Sequence, residues 1–475
     1  MSVNPHIVII GAGPGGYVAA IRAAQLGARV TVVDREALGG VCLNWGCIPS
    51  KALLSVVDLG DKAKKAADLG LSFGGPATYD LTRMVARKNK VVTGLVKGIA
   101  TLFKHWSIDY LEGQARLLDA RTVQVALNAG GEQQVSADAI IIATGSSWPN
   151  LPLFPIDGKQ IISSRDALDL TKRPPSLLIV GAGVEGCEFA SLFSGLGTQV
   201  VMVELLPRIL PLEDEEISTA MDRELRKRGV TIHTGTQITQ IQRDDSTVTA
   251  TLTDNTPLSA EKLLVSVGRG FNSKNIGLEQ VGVALGRRGE ILVNERLETN
   301  VPGIYAIGDV TGKAMLAHVA SAQGKVAVEN VLGRTHKMNY DVIPAGIFTL
   351  PEIGRVGLTE QQARERAQNR GQNPDAAVKV GRFRYAGLGK AQAVGDTVGF
   401  YKIISEAESG IILGAHIIGS HAADLIHEIA LAMEVGASVQ QLAQMIHAHP
   451  TLAEGLMEAA EDVDGLAIHL ARKKV

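Results

Sequence analysis

Cysteine is scarce: the chain has three in 475 residues. Three cannot build the disulfide framework that holds small secreted domains together, and a reducing compartment suits a reactive pair better. Net charge is also small, −2 at pH 7, so nothing electrostatic points to nucleic acid or an anionic membrane as a partner. No run approaches the ~20 consecutive apolar residues that span a bilayer. The N-terminus lacks an export segment: after five residues comes His6-Ile-Val-Ile-Ile10, a short strand that runs straight into glycine. The expectation is a soluble intracellular enzyme without membrane or nucleic-acid partners, cytoplasmic or in a mitochondrial matrix as a mature chain.

Glycine, by contrast, is abundant, 52 residues against an average of ~7%. That suits several tight turns and close backbone approaches to a ligand. The length predicts about three domains of ~150 residues each. Two of the three cysteines fall in one stretch, Gly39-Gly-Val-Cys42-Leu-Asn-Trp-Gly-Cys47-Ile-Pro-Ser-Lys51. Pro49 fits the first turn of a helix, where its missing N–H is no loss. Cys47 then lies near that helix's N-terminus, where unpaired N–H groups favour a thiolate. The pair reads as redox-active, as a structural disulfide or as two buried thiols; its spacing alone does not choose.

The first strand leads into Gly11-Ala-Gly13-Pro-Gly-Gly16, then an amphipathic helix through Tyr17 to Leu26, then a strand from Arg29 to Val33 that stops at Asp34. In this context the first glycine makes a tight turn, the second lets backbone N–H groups reach a pyrophosphate, and the third packs helix on strand. The acid accepts from a ribose hydroxyl. The device recurs as Ser176–Val180, Gly181-Ala-Gly183-Val-Glu-Gly186, a helix, the strand Gln199–Val203 and Glu204. In both copies the third glycine and the acid stand 18 positions apart, which indicates two dinucleotide sites. No arginine cluster follows Glu204, so a carboxylate there accepts from NAD and repels the extra phosphate of NADP. The first copy runs directly into the cysteine pair. Disulfide chemistry moves electrons through thiolates and nicotinamide carries hydride; a flavin exchanges with both, so FAD is expected at the first site and NAD at the second.

With these motifs the chain resembles the flavin-dependent pyridine nucleotide–disulfide oxidoreductases over nearly its whole length, and most of all those members that oxidise dihydrolipoamide. The resemblance implies that Cys42 is the interchange thiol, that Cys47 is the sulfur beside the flavin, and that Lys51 sits near the reactive flavin nitrogen. It further implies that Gly113 touches the adenine of FAD. Thr144, Gly145 and Ser146 end the strand at Ile140–Ile142, where the chain crosses from one nucleotide domain to the other, and Pro149, Pro152 and Pro155 punctuate the linker that follows. Asp309 is placed on the ribityl and phosphate region, with Met315, Leu316, Ala317 and His318 lining the flavin ring; by itself His318 reads as an ordinary helix histidine. Glu188 lies near the nicotinamide and can pair with Lys51, while Gly268 closes the second nucleotide domain. Glu185 departs from the family, whose members often carry isoleucine there. Cys187 reads as a small core residue.

The expected fold class is therefore α/β, with two Rossmann-like dinucleotide-binding domains, the FAD domain being split by an inserted NAD domain, plus a C-terminal α+β dimerisation domain. The segments are 1–149 for the first part of the FAD domain, 150–270 for the NAD domain, 271–340 for the second, central part, and 341–475 for dimerisation. Strands are predicted at Ala345–Leu350, Val378–Phe383, Gly399–Ile404 and Ile411–Ile418, with helices at Ala422–Met433 and Ser438–Ile446.

Near the C-terminus stands His447-Ala-His449-Pro450-Thr-Leu-Ala-Glu454. Proline predicts a break at His449 and a new helix from Pro450, with Glu454 a little over one turn in and able to reach back. A carboxylate on one ring nitrogen makes the other a better base. Alone, His-X-His reads as a metal pair or a surface cluster; beside a cysteine pair the general base is favoured, and no metal site is expected. The resemblance assigns the base to His449, acting across a homodimer on the other subunit's cysteines. It also implies that lipoyl-bearing proteins of 2-oxo acid dehydrogenase or glycine cleavage complexes are the partners. Alternatives are another NAD(P)H-dependent flavin disulfide reductase, glutathione- or mercuric-reductase-like, or a non-catalytic flavin-bearing assembly subunit. Against them stand Glu204, the absence of any cysteine after Cys187, and the presence of Cys42, Cys47 and His449 together.

Overall fold

A computed structural model describes residues 4–471 except 73, 74, 76 and 150. The run Ile7–Ile10 alternates between two apolar layers: Ile7 and Ile9 enter one core, Val8 and Ile10 another. A strand apolar on both faces belongs in the middle of a parallel sheet covered on both sides. Here it is the third of seven strands, in the order Ile304–Ala306, Ala139–Ile142, His6–Ile10, Arg29–Asp34, Asp109–Leu117, Thr122–Leu127, Glu132–Ser136. The first five are parallel and the last two pair antiparallel. The edge strand at 304–306 comes from far beyond the residues that build the second sheet, so the first nucleotide-binding layer is split by an insertion.

That insertion repeats the design. Its parallel sheet runs Thr231–His233, Gln199–Val203, Ser176–Val180, Lys262–Val265, Ile161–Ile162, again between two cores. The registers correspond: Ile10 lies opposite Val33, and Val180 opposite Val203. The third unit is an antiparallel sheet in the order Ala345–Ile347, Ile353–Gly357, Ile412–Ile418, Phe400–Glu406, Val378–Arg384, with the helices Ala422–Glu434 and Glu454–Asp462 packed on it.

The strand expected over 345–350 ends at Ile347, and the helix expected over 438–446 covers Val439–Gln444. Sequence reading and structure differ further at three places. The strand Ile353–Gly357 was not expected, because two glycines and an arginine hide its alternation. Gly354 is required there: a Cβ would lie 2.1 Å from the Ala422 carbonyl oxygen. The last long helix begins at Glu454, not Pro450. The intervening chain is instead held as a turn, with the Thr451 hydroxyl donating to the Ala448 carbonyl (2.7 Å) and the Thr451 N–H to Glu454 (2.8 Å). Finally, although no uninterrupted apolar run exists, the stretch Gly40–Lys64 is by length and composition apolar enough to cross a membrane. Part of its apolar surface is taken up by packing: Leu43, Leu53, Leu54 and Val57 are buried in the cores of the first two units.

A buried ionic cluster joins the second unit to the third. Lys402, 2% exposed, bonds Asp214 (2.8 Å), Glu216 (2.7 Å) and Glu360 (2.9 Å), and Arg382 adds bonds to Glu216 and Glu360. Burial alone would raise the carboxyls of Asp214 and Glu360, but hydrogen bonds from Lys402 hold both below their ordinary range. Glu216 is lowered in the same way against burial, by Arg382 and then Lys402. Removing Lys402 strands these charges, and breaking such a pair costs roughly 3–5 kcal/mol. Lys402→Met is therefore expected to lower the free energy of unfolding by that amount at pH 7, read from urea melts. Because the folded carboxyls titrate below their unfolded range of ~4, their contribution is complete above that value and lost as pH falls through it. The gap between variant and parent should narrow in acid, and an equal gap at neutral and acid pH would refute the account.

Candidate active site

Two glycine turns form opposite walls of the site. In the first, a Cβ on Gly11 would stand 2.2 Å from the Ala143 carbonyl oxygen, and one on Gly16 would stand 1.8 Å from that of Gly11. In the second, Gly181 meets Ser266 O at 2.2 Å and Gly186 meets Gly181 O at 2.1 Å. The middle glycines differ. A Cβ on Gly183 would meet nothing within 4 Å, and one on Gly13 only the Gly40 Cα at 4.0 Å. The outer glycines are thus demanded by the fold, and the middle ones leave space that a ligand's phosphates would take.

Both acids hold these turns, and Asp34 also lines the ligand space. Asp34 accepts from the N–H of Ala12 (2.6 Å) and Glu36 (2.8 Å), and Glu204 from those of Ala182 (2.7 Å) and Leu206 (2.8 Å). This first duty was not legible in the sequence. A carboxylate has about four lone-pair positions, so capacity remains for ribose hydroxyls.

Four helices end here with no side chain capping their N-termini: Pro14–Gln25 after Gly13, Cys47–Lys64 after Gly46, Val184–Gly195 after Gly183, and Ala317–Val331 after Leu316. Some other helices are capped by side chains, as by Asp80, Asp214 and Thr359, while those after His421 and Ala453 are not. Bare N-termini are sites for anions. A cavity of about 330 Å³ is lined by Gly11, Asp34, Gly113 and Thr144. It adjoins a second of about 300 Å³ at Gly13, Cys42, Cys47, Gly145, Asp309 and Met315. A third of about 770 Å³ takes in Cys47, Lys51, Gly183, Glu188, Gly268 and Leu316. Together they run from the Gly113 strand, past the cysteines, to the second glycine turn, and suit an extended dinucleotide whose ring system lies against Cys47 and a second dinucleotide beyond it.

Cys42 and Cys47 form a disulfide. Cys42 lies in the short helix Gly40–Trp45 and Cys47 opens the next one. One turn on, Lys51 Nζ bonds both Glu188 oxygens, at 2.9 and 2.7 Å. The Phe348 N–H donates to Glu188 (2.9 Å), and Lys51 Nζ lies 4.6 Å from the centre of the Phe348 ring. Asp309 accepts from the buried Ser146 hydroxyl. Arg269 in turn donates to the Ser146 hydroxyl and carbonyl, each at 2.7 Å, with its guanidinium 5.2 Å from the Trp148 ring centre. Sequence reasoning passed over Arg269; its only signal was its position directly after Gly268. His318 donates from Nε2 to the Pro344 carbonyl (2.8 Å), and burial lowers its pKa, so its ring is kept neutral. The Arg165 guanidinium sits 4.1 Å above the Trp45 ring, which gives that tryptophan a packing partner at the cavity edge. Cys187 is fully buried, donates to Ala182 O (3.4 Å), and has its pKa pushed far up by burial, so it is no nucleophile.

One predicted pair stands apart. His449 Nδ1 is 2.8 Å from Glu454 Oε1, but the imidazole is 74% exposed on the third unit and does not line the cysteine cavity of its own chain. Burial would raise the Glu454 carboxyl; the Thr451 N–H and His449 outweigh it and hold it low, as a carboxylate. His447 is bonded to Glu428 (2.8 Å), and its side chain is buried.

Residues 5–324 match the pyridine nucleotide-disulphide oxidoreductase family and residues 343–460 its dimerisation domain. The chain belongs to that family, and is an FAD-containing, NAD-dependent oxidoreductase acting on a sulfur group. It is 41% identical to a dihydrolipoyl dehydrogenase of Chlorobaculum tepidum over 96% of both chains, and 39% identical to one of Bacillus subtilis over 99% of this chain and 98% of that one. Among solved structures it is similar to LpdA of Mycobacterium tuberculosis, with TM-score 0.89 and 29% identity over 96% of this chain and 99% of the other.

The glycine geometry separates two variants. Gly186→Ala drives a methyl group into a backbone carbonyl and should cost about 1–3 kcal/mol of stability. Gly183→Ala should melt like the parent yet bind NAD at least tenfold more weakly. Thermal melts and calorimetric titration check both; destabilisation by Gly183→Ala with normal binding would show the open space to be unrelated to the ligand.

Proposed function

We propose that this protein oxidises protein-bound dihydrolipoyl groups to lipoyl groups with reduction of NAD. The observation that carries the reading is the Cys42–Cys47 disulfide at a bare helix N-terminus, lining both the cavity of the first glycine turn and that of the second. On this reading residues 1–149 and 271–340 hold FAD, 150–270 hold NAD, and 341–475 form the dimer interface. The roles follow the residues: Gly11, Gly13, Gly16, Asp34, Gly113 and Asp309 at FAD, and Gly181, Gly183, Gly186 and Glu204 at NAD.

The chain's own chemistry begins with His449. Its Nδ1 is tied to a carboxylate, which leaves Nε2 to take a proton from a dihydrolipoyl thiol. The thiolate attacks Cys42 Sγ; a mixed disulfide forms, the Cys42–Cys47 bond breaks, and the electron pair stays on Cys47 as thiolate. The helix N-terminus stabilises that charge, an effect typically worth about 0.3–1 kcal/mol. The second lipoyl thiol then attacks the mixed disulfide, closing the lipoyl ring and releasing Cys42, which takes up that thiol's proton. Bound FAD supplies an electron-pair acceptor beside Cys47, and NAD the final hydride acceptor.

Since His449 stands away from its own chain's cysteines, the base at each disulfide is His449 of the partner subunit. Exposed apolar side chains on the same unit support this: Ile446 is 95% exposed, Val435 70% and Leu431 65%. A surface of this kind marks a contact. The carriers served would be lipoyl domains of 2-oxo acid dehydrogenase or glycine cleavage assemblies.

NAD reduction by free dihydrolipoamide tests the reaction, with NADP and glutathione in parallel. Cys42→Ser should abolish turnover, and His449→Gln should slow it by roughly 10²–10⁴-fold, the usual contribution of a general base. Hybrid dimers test the shared site. One Cys42→Ser subunit paired with one His449→Gln subunit contains one intact composite site, so about half the parental activity should return. Hybrids as inactive as both parents would place each site within a single chain; preference for glutathione with NADPH would overturn the substrate assignment.

A further inference from the structure

Glu185 lies in the first turn of the Val184–Gly195 helix and lines the cavity of Cys47, Lys51 and Glu188. Two carboxylates thus face the space that follows the second glycine turn, and they are not equivalent. Glu188 is neutralised by Lys51 through two hydrogen bonds. Glu185 is held only by hydroxyls, Ser266 Oγ at 3.4 Å and Ser164. Arg269, the other strong cation lining this cavity, spends its hydrogen bonds on Ser146.

Nicotinamide carries one positive charge when oxidised and none when reduced. We propose that Glu185 is a charge-selecting residue of the NAD site, favouring the oxidised, cationic ring over the reduced, neutral one and so weakening product relative to substrate. The inference rests on the NAD assignment made above. A carboxylate in a poorly solvated wall acts through a low effective dielectric, so an unpaired charge there is felt strongly by a nearby ring. Isoleucine at this position would supply contact but no such discrimination.

The surrounding groups set when the charge is present. Burial raises the Glu185 carboxyl above the usual carboxylate range; Glu188 adds to the rise, whereas Ser164, Arg269 and Ser266 oppose it. The other titratable groups lining the cavity are Lys51, His318, His427 and, after reduction, the two cysteines. A cation arriving beside the carboxyl lowers its pKa and draws off a proton where one is held. By linkage, NAD binding should release protons and binding of a neutral ring should not.

The test uses the oxidised holoenzyme, so that no thiol titrates, and three ligands that leave the flavin oxidised. They are NAD, its tetrahydronicotinamide analogue, whose ring is neutral and donates no hydride, and ADP-ribose, which lacks the ring. Isothermal titrations at pH 6 to 8, in buffers of different ionisation heat, give affinity and protons exchanged. Glu185→Gln, of the same size but uncharged, is expected to lose on the order of tenfold in the preference for NAD over the analogue. It should also lose the proton release and leave ADP-ribose unchanged. Glu185→Ile should show the same loss of preference. An unaltered preference in both variants, or equal weakening of all three ligands, would overturn the proposal. Failure of the parent protein to bind ADP-ribose would overturn the dinucleotide assignment itself, and this inference with it.

Discussion

The structure turns on the Glu188 carboxylate, where three separately built units meet. Glu188 comes from the inserted nucleotide unit, Lys51 from the cysteine helix of the first unit, and the Phe348 N–H from the C-terminal unit. A nearly buried carboxylate is costly without partners, and here ammonium and amide supply them. The same bonds fix the helix whose first residue is Cys47. The relative placement of disulfide, flavin space and nicotinamide space is thereby held by one residue's hydrogen bonds, and the Lys402 cluster fixes the second and third units at another point.

Four helices that end at the cavity receive no side-chain cap, in contrast to those capped by Asp80 or Thr359, though a few others, such as the one after Ala453, are bare as well. Each bare terminus at the cavity leaves N–H groups whose needs a ligand or a thiolate must meet. Three of them follow a glycine, so the backbone can come close without a side chain in between. The outer glycines obey packing and the middle ones answer to the ligand, a division visible in what a Cβ would strike.

What the sequence revealed and what it hid follow from the range of each interaction. The glycine turns and their acids were legible because the device is local: strand, turn, helix and acid lie within about thirty residues and repeat. The reach of Glu454 to His449 was legible from a gap of five, although the helix start was misplaced because the Thr451 turn delays it. The Lys51–Glu188 bond spans 137 residues, and only a resemblance could suggest it. The Arg269–Ser146–Asp309 chain spans 123 and 163 and carried no pattern at all. The strand Ile353–Gly357 was hidden for the opposite reason, since its glycine serves a neighbouring helix rather than its own sheet.

The two cysteines are unequal by construction, and this gives the proposed relay its direction. Cys47 opens a helix with no cap, so charge left on it is stabilised. Cys42 stands two residues further into its own helix, the short Gly40–Trp45, which is likewise without a side-chain cap. When a substrate thiolate splits the bond, the sulfur that leaves best is the one whose thiolate is more stable, and attack therefore falls on Cys42. On the proposed reading the same terminus faces the flavin, whereas His449 lies outside the chain's own cavity. Thiol chemistry must then enter from one side and electrons leave on the other. A second subunit is the arrangement that admits a base on the substrate side without opening the flavin side to water.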